Sequence, residues 1–72
     1  MLYAQRLREL REAHGLSQTD IARVLHTTQS QISKWENGVS TMRTRYYVAL
    51  AKYYNVSLDY IAGLTDTPWK LR

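Results

Sequence analysis

Seventy-two residues make one small domain that would bury roughly 60% of its unfolded surface, and the absence of cysteine excludes a disulfide-stapled fold and a thiolate metal site. A formal net charge of +4 and a pI near 9.7 favour a polyanionic partner. No apolar run approaches the ~18 residues of a membrane span and no signal-peptide pattern opens the chain, so a cytoplasmic protein with no membrane partner is expected.

Hydrophobic spacing predicts an all-α chain of five helices. The first runs from about Leu2 to His14, with Tyr3, Leu7, Leu10 and His14 on one stripe and Gly15 as its stop. Arg8 and Glu12 are spaced to pair on its outside at i,i+4. Ser17 then precedes a second helix with Asp20 three residues on, so its hydroxyl can accept an orphan backbone N–H while the carboxylate favours the positive end of the helix. Thr28 repeats the device with Gln31, and Gly38 can take the left-handed conformation that closes this third helix after about three turns.

Ile21, Ala22 and Leu25 share a face of helix two; Ile32 and Trp35 share one on helix three, with Thr28 and Glu36 at its margin. Ala22 is small where the two would cross, which suits a near-perpendicular pair joined by a tight turn. Helix four is expected from about Met42 to Tyr54, with Tyr47, Val48, Leu50, Ala51 and Tyr54 on its apolar side and Asn55 as a left-handed stop. Ser57 caps helix five, Asp59 lies in its first turn, Leu58 and Ile61 face inward, and Gly63 ends it. Residues 1–64 thus form the domain and 65–72 a tail.

With Ile32 and Trp35 inward, Ser30, Ser33, Lys34 and Asn37 fall on the far side of helix three, flanked by Gln29 and Gln31. Gln can bond adenine bidentately, Ser can meet several base edges, and Lys can reach guanine or a phosphate, so this face can read DNA. An ordinary solvated helix face has the same composition, and the residues alone leave both readings open.

Three segments resemble the Cro and repressor type of helix-turn-helix domain, the XRE family: LRELREAHGLSQTDIARVL from Leu7, TTQSQISKWENG from Thr27 and LAKYYNVSLDYIAGL from Leu50. The resemblance covers most of the chain and implies a compact lambda-repressor-like fold with helix three in the major groove. It departs from the family in the turn, where His26 stands at a common glycine position and Thr27 at a small aliphatic one. His tolerates the left-handed region better than most residues, so the turn is expected to survive with some strain.

The resemblance implies base contacts from Gln29, Ser30, Ser33 and Lys34, and phosphate contacts from Gln18, Thr28, Asn37, Arg43 and Arg45. It pairs Arg11 with Glu36 as a structural tie and lets Gln18 and Gln29 brace each other. Arg6, Arg8 and Arg23 are read as solubilising charges. A homodimer is implied through helix five and the tail, with Leu58, Ile61, Leu64 and Trp69 at the contact.

The six tyrosines and two tryptophans could suggest stacking on single-stranded bases, but Tyr47, Tyr54 and Trp35 fall at helical spacing on inward faces, as core residues do. His14 and His26 lack a carboxylate or cysteine at ligand spacing, so neither catalytic residues, a cofactor nor a metal is expected. Nothing resembles a sensor module, and a small-molecule effector is not expected. The resulting expectation is a sequence-specific double-stranded DNA-binding transcriptional regulator, a repressor by resemblance. The alternatives are an antitoxin that neutralises a toxin partner and autoregulates its operon, and an interaction module that has lost DNA binding.

Overall fold

A computed structural model describes residues 2–67 and contains five helices and no strand among them. They are α1 (Leu2–Ala13), α2 (Gln18–Val24), α3 (Gln29–Glu36), α4 (Thr44–Tyr54) and α5 (Leu58–Ala62). The fold is a lambda-repressor-like bundle in which α2 and α3 form a helix-turn-helix. Pro68 to Arg72, including Trp69 of the expected dimer contact, lie outside the described residues.

Each expected stop and cap has a counterpart in the backbone. Ser17 and Asp20 form a reciprocal capping box, while Thr28 and Ser57 each accept one backbone N–H, from Gln31 and Tyr60. Asn55 ends α4 in the left-handed region at φ 57°, and Gly15, Gly38 and Gly63 also have positive φ. His26 joins them at φ 55°, so the turn between α2 and α3 keeps the left-handed residue that glycine would supply without a Cβ penalty.

One core runs through all five helices. Tyr3, Ala4, Leu7 and Leu10 of α1 meet Ile21, Ala22 and Leu25 of α2 and Ile32 and Trp35 of α3. Leu50, Ala51 and Tyr54 close it from α4, and Ile61 of α5 is fully buried. Aromatic rings fasten α4 to its neighbours: Tyr47 stands edge-on to Tyr3, Tyr46 tilts over Trp35 at 4.8 Å, and Tyr54 lies 4.7 Å from the His14 ring.

Several local expectations change. α1 stops at Ala13, and the imidazole Nδ1 of His14 lies 2.8 Å from the Leu10 carbonyl oxygen in the following turn. α4 starts at Thr44, two positions late, because Met42 is drawn into the core from the preceding loop. Leu58 is 45% exposed rather than inward; Val56, ahead of the cap, takes the core position instead. Tyr53 is also exposed and packs edge-on against Tyr54.

Candidate nucleic-acid interface

The polar face of α3 is fixed from beneath by one carboxylate. Glu36 sits in the last turn of α3, its side chain only 2% exposed. Arg11 of α1 donates to it twice, Nε to Oε2 at 2.7 Å and Nη2 to Oε1 at 3.0 Å, in the bidentate geometry that suits a guanidinium and a carboxylate. A third donation, from Nη1 to the Leu16 carbonyl, locks the same guanidinium to the α1–α2 turn. Hydrogen bonding to Glu36 holds the Arg11 guanidinium above its ordinary pKa despite partial burial. The structural tie implied by the resemblance is thus present in the geometry.

The carboxylate also orients α2. Gln18 is the first residue of α2, placed by the Ser17 capping box, and its Nε2 donates to Glu36 Oε1 at 3.1 Å. Because a carboxylate only accepts, the carbonyl end of Gln18 must turn the other way, where it accepts from Gln29 Nε2. Gln29 in turn keeps its Oε1 and its second N–H. The capping box has an electrostatic signature too: hydrogen bonds from the Ser17 backbone and side chain hold Asp20 below the usual carboxylate pKa.

At the other end of α3, Asn37 joins two elements. Arg8 Nη2 donates to its Oδ1 at 2.9 Å, and its Nδ2 donates to Ser33 Oγ at 3.2 Å. Arg8 Nε also approaches Glu36 Oε1 at 3.7 Å. The expected Arg8–Glu12 pair is therefore replaced: the Arg11–Glu36 tie draws the end of α3 alongside α1, and these partners stand within reach one turn before Arg11. Arg6 likewise departs from a solubilising role, stacking over Tyr60 at 4.0 Å and bonding Asp66 at 3.2 Å.

The remaining site residues divide by exposure. Thr28, Gln29, Ser30 and Lys34 are exposed along α3, and Ser33 is half-buried beside Asn37. Gln31 leaves that surface and donates to Ser40 Oγ at 3.1 Å, while the Tyr3 hydroxyl donates to the Ser40 carbonyl at 2.9 Å. The loop after α3 is thereby held from both sides. Arg43 is exposed at the N-cap of α4, whereas Arg45 folds back over Tyr46, donating to its hydroxyl at 2.9 Å. Sequence reasoning missed the contributions of Arg8, Tyr3 and Ser40, which depend on elements distant in the chain.

The helix-turn-helix family pattern matches residues 7–61. Among similar proteins, the uncharacterized HTH-type transcriptional regulator YobD of Bacillus subtilis (strain 168) is 40% identical over 67 residues, covering 93% of this chain and 60% of that protein. Antitoxin PezA of Streptococcus pneumoniae serotype 4 (strain ATCC BAA-334 / TIGR4) is 29% identical over 62 residues, covering 86% of this chain and 39% of that protein. The chain thus spans less than two thirds of the length of these curated relatives. In fold it is similar to the P22 c2 repressor, solved in complex with synthetic operator 9T in the presence of Tl+. That match has a TM-score of 0.77 and 24% identity, covering 85% of this chain and 92% of the other. With its family pattern, five-helix architecture and capped α2–α3 pair, this chain belongs to the helix-turn-helix family, of the Cro and C1 repressor (XRE) type.

Proposed function

We propose that this chain is a sequence-specific double-stranded DNA-binding transcriptional regulator, a cytoplasmic repressor that lays α3 in the major groove. The observation that carries the reading is the oriented amide of Gln29. One N–H is committed to Gln18, and the remaining acceptor and donor form the pair that matches N6 and N7 of adenine. Ser30, Ser33 and Lys34 complete the base-reading face. In this reading Gln18, Thr28, Asn37, Arg43 and Arg45 contact phosphate, Arg45 after uncurling from Tyr46. Similarity to YobD and to the operator-bound c2 repressor supports this assignment.

In this reading residues 1–64 are the DNA-binding domain and 65–72 a tail, with no catalytic role, cofactor or metal. Exposed Leu58, at the start of α5, and Leu64, just past its C-cap, support a homodimer through that helix and the tail, whereas Ile61 is fully buried in the core and leaves the expected contact. Its half-sites would lie one helical turn apart, about 34 Å. Similarity to PezA favours a second reading, an antitoxin whose essential partner is a toxin; a stable small protein co-purifying from native cells would establish it.

Selection from random duplex DNA, followed by titration of the enriched site at two salt concentrations, tests the proposal. Gln29→Ala should cost about 1 to 3 kcal/mol on that site and relax preference at one base pair. Arg43→Ala should weaken all duplexes alike and lower the salt slope by about one. Equal loss on every sequence for Gln29→Ala would falsify base reading.

A further inference from the structure

Arg8 stands on the outer side of α1, and the polarity of the bonds it starts reaches the reading face. A guanidinium has donors only, so the group of Asn37 that meets Arg8 Nη2 at 2.9 Å is the carbonyl oxygen. The amide orientation is then set, and Nδ2 is directed at Ser33 Oγ, 3.2 Å away. Having accepted that bond, the Ser33 hydroxyl directs its own proton away from Asn37, and the accepted bond polarises the O–H for donation. The second approach of Arg8, Nε to Glu36 at 3.7 Å, holds the guanidinium beside a carboxylate that Arg11 already fixes.

We infer that Arg8 is a positioning residue of the interface: acting through Asn37, it makes the Ser33 hydroxyl a hydrogen-bond donor, so that the nearest base edge presents an acceptor. In the major groove adenine offers an acceptor at N7, guanine two at N7 and O6, and thymine one at O4, whereas cytosine offers only the N4 donor. Ser33, with its proton directed outward and one lone pair already taken by Asn37, therefore favours an acceptor over cytosine at one position of the site. The inference rests on the reading of α3 as the major-groove helix.

Selection from random duplex DNA with the wild-type chain, Arg8→Met, Arg8→Lys, Ser33→Ala and Asn37→Asp tests it, each protein first checked for folding by thermal unfolding. Arg8→Met and Ser33→Ala should both admit cytosine at the same position, with discrimination there falling about threefold to tenfold and the salt slope unchanged. Arg8→Lys retains a donor and should preserve that preference. Asn37→Asp still accepts from residue 8 but offers Ser33 an acceptor, so the hydroxyl reverses and the same position should shift toward cytosine. This variant reports even where Arg8→Met fails to fold. A salt slope reduced by about one in Arg8→Met with base preference intact would make Arg8 a phosphate ligand and overturn the inference. Unchanged selection in both Arg8→Met and Asn37→Asp overturns it as well. If the wild-type chain enriches no duplex, the underlying DNA-reading proposal fails, an outcome distinct from enrichment that ignores position 8.

Discussion

The α1–α3 half and helix α4 are fastened by different forces. Within the first, directional bonds tie the helices: Arg11 to Glu36, Gln18 to Glu36 and to Gln29, Arg8 to Asn37. α4 is held instead by buried Leu50, Ala51 and Tyr54 and by three pairs of rings, one edge-on and two tilted. Apolar packing sets how close two helices lie but tolerates small rotations; a hydrogen bond to a fixed carboxylate does not. The proposed base readers lie on the half whose orientation is bonded, as a reader of base edges requires.

The largest test of this contrast is Glu36→Ala. It strands the Arg11 guanidinium, itself 13% exposed, and should destabilise the fold by about 3 to 5 kcal/mol in urea unfolding. The paired replacement Arg11→Met with Glu36→Leu should regain most of that stability yet broaden the base preference at Gln29, whose partner Gln18 has lost the acceptor that oriented it. Retained preference would show that packing alone orients the face. Next, Leu50→Ala, at a 2% exposed position, should cost about 2 to 5 kcal/mol while leaving the preference of the folded fraction intact. A changed preference would erase the distinction between the two regions.

His26→Gly should act in the opposite direction. It removes the Cβ penalty at φ 55° and should raise stability by about 0.5 to 1 kcal/mol, read as a higher melting temperature. Smallest at neutral pH is Tyr54→Phe. Burial, with added repulsion from Tyr53 and Glu36, raises the Tyr54 phenol well above its ordinary range. The folded chain therefore holds this proton more tightly than the unfolded one. The associated stability is complete below the unfolded value of about 10 and is lost as pH rises beyond it. Urea midpoints should match wild type near neutrality and diverge only above about pH 10, with the Phe chain less sensitive to alkali. Equal alkaline loss in both chains would move the titration elsewhere.

Local chemistry made the helix ends legible. Ser17, Thr28, Ser57 and Asn55 act within a few residues of themselves, so their capping and left-handed roles could be read from neighbours alone. Periodicity likewise placed Ile21, Ile32, Trp35 and Leu50 inside. The candidate base and phosphate residues came from helix phase and family resemblance, but their bonding did not. Arg8 had a satisfactory i,i+4 partner in Glu12, and only the approach of α3 supplied better ones in Asn37 and Glu36. Gln31 shows the same limit: helix phase sets it on the flank of the reading face, but its amide turns to Ser40, brought within reach by the loop after α3.

The shared carboxylate also bears on how such a chain can evolve. Position 36 answers at once to Arg11, Gln18 and Arg8, so a replacement there is tolerable only together with a change at position 11. Ser30 and Lys34 are exposed, and their side chains have no hydrogen-bond partner among the described residues. Those two positions can drift singly at little cost to the fold. A lineage could therefore acquire new target sites by point changes on an inherited frame, while residues 11 and 36 pass down as a unit.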